Sequence, residues 1–81
     1  MYIKYFAWTK EISGKEKENI NFKKIKNINE LVLYLKEKYP KFKKHFENKT
    51  LRIAINQEYT NTNKKINEND EIALFPPVSG G

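Results

Sequence analysis

One mixed β-sheet with one main helix packed on one face, an α+β fold, is what this sequence predicts. Three observations predict it. Apolar residues alternate with a period of two near both ends of the chain, at 2–8 and 71–75. A single long stretch, 28–39, shows the helical period instead. The polar stretch 61–69 is too short and too rich in asparagine to supply a second main helix. A lone helix with several strands has one economical solution, a sheet covered on one side.

In the first strand, 2–8, Ile3, Tyr5 and Ala7 point one way and Tyr2, Lys4, Phe6 and Trp8 the other. Residues 9–14 make a short turn closed by Gly14, a residue free to take positive φ. Lys15 to Glu18 alternate in charge and read as exposed. A second strand follows at 18–22, with Ile20 and Phe22 inward, forming an opening hairpin with the first.

The helix begins after Asn27, an N-cap residue, with Glu30 placed to complete a capping box. Ile28, Leu31, Val32, Leu35 and Tyr39 draw its apolar stripe, which Leu33 and Tyr34 widen. Pro40 ends it. The basic link 41–49 holds Phe42 and Phe46 four residues apart, which fits one more short helical turn against the core. His45, on the side away from them, reads as exposed.

Leu51, Ile53 and Ile55 alternate with Arg52, Ala54 and Asn56 in a third strand. Tyr59-Thr60 forms a short edge strand, Ile66 anchors the polar stretch, and Ile72 and Leu74 face inward from the last strand. That strand is expected beside the first, both central. The ubiquitin-like β-grasp is the arrangement that fits this order.

Bulk properties narrow the function classes. A chain of 81 residues makes one small domain that buries about 60–65% of its unfolded surface. That leaves little room for a self-contained catalytic cleft. There is no cysteine and one histidine, so thiolate nucleophiles, zinc–thiolate sites and histidine clusters are excluded. No run of 18 apolar residues is present, and the first residues lack the layout of a signal peptide, so a cytoplasmic protein is expected. The formal net charge is +6, from 16 basic and 10 acidic side chains. Among the basic residues only Arg52 offers a planar fork; the rest are scattered lysines, which reads as a solvated surface before it reads as a nucleic-acid face.

The C-terminal sequence carries the chemistry. Phe75 leads into Pro76-Pro77, whose rings fix φ and favour an extended segment leaving the sheet. Val78 and Ser79 follow, then Gly80 and Gly81. Two residues without Cβ make the thinnest rod a peptide can form, able to enter a narrow channel with a carboxylate at its tip. A carboxylate is a poor acyl donor, so reaction there requires prior activation, for example as an acyl-adenylate. The expected division is a β-grasp domain over 1–75 and an extended diglycine tail over 76–81. Phe6, Trp8, Ala73 and Phe75 are expected on the sheet face opposite the helix, as an apolar patch for a partner.

The run Glu71 to Gly81, after Asn67-Glu68-Asn69-Asp70, resembles the C-terminus of the small subunit of molybdopterin synthase, the sulfur carrier of molybdenum cofactor biosynthesis. The resemblance extends to Tyr5-Phe6-Ala7 with Lys10, Glu11 and Gly14, to Ile28 through Leu35, and to Ala54 through Glu58. Phe-Pro-Pro-Val-x-Gly-Gly is its specific part; a terminal Gly-Gly alone is common to ubiquitin-like carriers. Trp8 is bulkier, and 61–69 more polar, than the family pattern. The resemblance implies that an E1-like enzyme, using ATP and magnesium, adenylates Gly81, which then becomes a thiocarboxylate. Sulfur would pass to cyclic pyranopterin monophosphate in the large subunit's active site, two small subunits flanking a large-subunit dimer. This chain would bind no cofactor or metal itself and would not be catalytic alone. Sulfur carriers for thiamine, cysteine or transfer-RNA thiolation share the Gly-Gly ending, as do protein modifiers. A basic nucleic-acid-binding module is the distant alternative.

Overall fold

Five short strands form the sheet: β1 (Tyr2–Tyr5), β2 (Lys17–Asn19), β3 (Arg52–Ile55), β4 (Glu58–Thr60) and β5 (Glu71–Phe75). The computed structural model describes residues 1–20, 23 and 25–77. Strand order is β2-β1-β5-β3-β4. β1 and β5 pair in parallel, and the other three pairings are antiparallel. The expected adjacency of first and last strands is therefore present. Three α-helices are found among the described residues: α1 (Trp8–Ser13), α2 (Ile28–Lys38) and α3 (Lys41–Glu47).

The core lies between the sheet and the helices. Ile3, Ile53, Ile72 and Leu74 from the strands meet Leu31 and Leu35 of α2, Phe42 of α3 and Ile66 of the polar stretch. All of these but Ile53 have no exposed surface. Each such side chain contributes roughly 1.5–3 kcal/mol through burial. The Asn27 side chain caps α2 by accepting from the Glu30 N–H at 2.9 Å. The Glu30 carboxylate reaches back to the backbone N–H of Lys26 at 2.8 Å, one residue beyond the cap.

Several sequence expectations are corrected. β1 stops at Tyr5, because Ala7 adopts φ 54°, a left-handed value uncommon outside glycine, and turns the chain. Trp8 therefore opens α1 and packs against the core instead of extending the strand. Its ring lies 4.2 Å from that of His45, which is half-buried, not exposed. Leu33 is exposed, 64% of its surface being accessible. It sits about 140° around the helix from Ile28, on the far side from the stripe. α3 is a seven-residue helix, longer than one turn, with Pro40 at its N-cap. Phe42 there is buried and stacks on Tyr5 at 6.3 Å. β2 covers 17–19; Ile20 is buried as expected, and Phe22 lies outside the described residues.

The largest correction is Glu18. Its pairing with Ile3 turns it toward the helices, where it is buried. The hydroxyls of Tyr5 and Tyr39 each donate to it at 2.8 Å. The Lys38 ammonium donates to its other oxygen, and Lys15 lies 3.4 Å from that same oxygen. Burial pushes the carboxyl up, but the bonds from Lys38, Tyr39 and Tyr5 outweigh it and hold Glu18 at about 2.

The carrier face and the chain exit

The parallel pairing of β1 with β5 sets where the chain leaves the sheet. Tyr5 is opposite Leu74, and the loop after β1 grips the end of β5. The Leu74 carbonyl accepts from the Phe6 N–H at 3.0 Å. It also accepts from the fully buried Thr9 hydroxyl at 3.1 Å, which bonds the Phe6 carbonyl as well, at 2.6 Å. Thr9 was not singled out in the sequence; a threonine in a turn gives no sign of a partner 65 residues away. Replacing it with valine removes both hydroxyl bonds. Each carbonyl keeps a backbone donor, so the expected loss is about 1 kcal/mol rather than that of a stranded buried group. Urea unfolding of Thr9→Val checks this; unchanged stability would show that the clamp contributes nothing.

Cross-strand register assembles the face opposite the helices. Lys4 and Ala54 flank Ala73, Arg52 is opposite Phe75, and Tyr59 is opposite Ala54. Ala73 and Phe75 are half-buried and Phe6 is 47% exposed. Three of the four predicted patch residues, Phe6, Ala73 and Phe75, thus gather around the exit of β5. Trp8 does not join them, for the reason given above. Tyr59, 51% exposed, and Arg52 do. The outward position of Arg52 was implicit in its alternation with Leu51 and Ile53, whereas Tyr59 was expected only as part of a short edge strand. Pro76 follows half-buried and Pro77 exposed, while Val78, Ser79, Gly80 and Gly81 lie outside the described residues.

Charge surrounds the apolar centre. Glu71 is tied to the Tyr2 hydroxyl at 2.7 Å and to Lys4 at 3.5 Å. The Tyr2 bond, with Lys4 adding to it, holds Glu71 below the usual carboxylate range. Lys17 stands over the Tyr2 ring at 4.2 Å. Among the described residues no cluster of histidine, cysteine, aspartate or glutamate could hold a metal ion. None of their helices is long and apolar enough to cross a membrane. What this face presents is an apolar surface continuous with the chain exit.

The comparisons agree with this architecture. The ThiS family model matches residues 3–81. The chain is 42% identical to the molybdopterin synthase sulfur carrier subunit of Dictyostelium discoideum, covering 98% of this chain and 93% of that protein. Among solved structures it is similar to a Pyrococcus furiosus protein named as a molybdopterin converting factor, subunit 1, with TM-score 0.81, 26% identity and 95% of each chain covered. It is also similar to small archaeal modifier protein 1 of Methanosarcina acetivorans, with TM-score 0.77, 25% identity, and 99% and 94% of the two chains covered. A β-grasp sheet closed by a clamped last strand, and sequence agreement along nearly the whole chain, place this protein in the ThiS family of ubiquitin-like sulfur carriers, as one of the molybdopterin synthase small-subunit type.

Proposed function

We propose that this chain is the sulfur-carrier subunit of molybdopterin synthase, with the Gly81 carboxylate as the group that carries sulfur. The observation that supports it best is the course of β5. It runs from an apolar sheet face through Phe75 into Pro76-Pro77 and the Val78-Ser79-Gly80-Gly81 sequence, in a chain matched along 98% of its length to a named carrier of this kind. In this reading 1–75 is the docking domain and 76–81 the inserted tail. An E1-like enzyme, with ATP and magnesium, adenylates Gly81, and a sulfur nucleophile then displaces AMP to leave the thiocarboxylate. The tail next enters the large subunit, where the sulfur is given up to cyclic pyranopterin monophosphate. Acid–base groups and substrate pocket belong to that large subunit. The assembly is two small subunits on a large-subunit dimer. The prolines remove part of the backbone entropy, roughly 1–2 kcal/mol per residue, otherwise lost on insertion.

Intact mass spectrometry tests the reading. Incubation with the activating enzyme, ATP, magnesium and a sulfur source should replace one carboxylate oxygen by sulfur. Absence of that shift, while a control carrier converts, sinks the proposal. Phe75 is the anchor proposed for the large subunit, with Phe6 and Ala73 beside it. Phe75→Ala should weaken that complex by about 30-fold, the effect of a central aromatic anchor. Unchanged affinity in calorimetry would remove this face from the interface.

The likeness to a small archaeal modifier protein favours one second reading, conjugation of the same terminus to lysines of other proteins. Higher-mass adducts on a denaturing gel, absent without the activating enzyme, would support it.

A further inference from the structure

At the β3–β4 edge of the sheet, between α3 and the face opposite the helices, lies a hollow with two cations among its walls. Its volume is about 340 Å³; Lys49, Arg52, Tyr59 and Asn61 line it, with Phe46 of α3 and the core residues Leu51 and Ile53 behind them. Arg52 is the only arginine in the chain. Its guanidinium carbon lies 5.7 Å from the centre of the Tyr59 ring, within cation–π range. That contact limits the freedom of the side chain before any partner arrives. Among the described residues no carboxylate lies within ion-pairing distance of Arg52 or Lys49. The register explains why. Glu58 pairs with Ile55 and so falls on the helix side of β4, and Glu71 is already held by Tyr2 and Lys4. Arg52 is directly opposite Phe75, so the hollow adjoins the strand from which the tail leaves.

We propose that this hollow takes the carboxylate of an acidic side chain on the large subunit, with Arg52 as the fork that selects it; the inference rests on the sulfur-carrier reading above. A planar guanidinium pre-ordered on an aromatic ring matches a carboxylate through two parallel bonds, which a lysine cannot make. Lys49 adds a second positive charge to the same hollow. The opposite flank differs: around the hollow of about 410 Å³ beside Phe6, Lys10 pairs with Glu16 and Lys4 with Glu71. The Arg52 side is therefore where an acidic group of the partner finds cations that no carboxylate among the described residues holds. The Arg52 contact fixes the lateral register in which Phe75 seats, and with it the direction from which the tail enters.

The test is titration of the full chain against the large subunit at several salt concentrations, for wild type, Arg52→Gln and Arg52→Glu. Circular dichroism verifies folding, and Arg52→Gln keeps the test valid should the charge reversal fail to fold. Loss of a desolvated charge pair should weaken binding by about 30-fold or more in either variant. It should also flatten the dependence of affinity on salt, which Phe75→Ala leaves intact. Affinities within about twofold of wild type, with the same salt dependence, would overturn the proposal. So would binding of inorganic phosphate by the free chain that Arg52→Gln abolishes while large-subunit affinity stays unchanged. Wild-type chain that does not bind the large subunit at all would defeat the sulfur-carrier reading itself, whereas indifferent Arg52 variants defeat only the acidic anchor.

Discussion

Deletion of Gly81 is expected to abolish sulfur transfer and leave the fold untouched. Removing one residue withdraws the carboxylate by about 3.5 Å along an extended chain. A misplacement of 1 Å at a reacting centre costs on the order of 100-fold. Withdrawal by a whole residue should therefore reduce transfer by more than about 1,000-fold. A bulkier residue at 81 should act similarly by a different route, because a Cβ thickens a rod meant for a narrow channel. Stability should not follow. The core is built from residues 3 to 74, and substitutions away from such features usually change stability by about 0.5 kcal/mol or less. Thermal unfolding and mass-detected thiocarboxylate formation, run on the same samples, separate the two effects. A deletion that lost its unfolding transition would make the terminus part of the fold, contrary to the carrier role.

Glu18→Ala should have the largest effect on stability among the substitutions considered. It strands the buried Tyr5 hydroxyl and removes the partner shared by Lys38 and Tyr39. Removing one side of a buried polar cluster costs roughly 3–5 kcal/mol. Lys38 keeps a route to water, its side chain being 38% exposed, so the lower end is expected. For a domain of this size that is a large share of a total of about 5–10 kcal/mol. The pH dependence has a definite sign. Folded Glu18 sits at about 2, below its ordinary 4.5, so the unfolded chain takes up a proton that the folded chain refuses. The stabilisation is complete above pH 4.5 and is lost as the pH falls toward 2. A shift of that size corresponds to roughly 3–4 kcal/mol at most. Glu18→Gln should therefore flatten the stability profile through this window. Parallel wild-type and variant curves of urea midpoint against pH would show that Glu18 does not govern acid unfolding.

The fold was legible because its signals are local and periodic. Ile3 with Tyr5, and Ile72 with Leu74, alternate as a half-buried strand must. The stripe of Ile28, Leu31 and Leu35 between Asn27 and Pro40 could hardly be anything but a helix. The proposed role of the last residues rests on a different kind of signal. Two prolines and two glycines constrain or free the backbone through covalent structure, without needing neighbours. Trp8 and Leu33 misled because an apolar side chain carries no direction of its own. The turn at Ala7 moved Trp8 to the helix side, and helix phase carried Leu33 outward.

By itself, the sequence determined the order of the strands along the chain, the main helix with its cap, and inward strand residues such as Ile3, Tyr5, Ile53, Ile72 and Leu74. Tertiary structure alone decided that Glu18 is buried, that Thr9 clamps the carbonyl of Leu74, and that Arg52 lies beside Phe75 with its guanidinium over the Tyr59 ring. Each of those depends on register between segments far apart in the chain. Register is chosen by the summed burial of whole strands, so no single stretch of residues contains it.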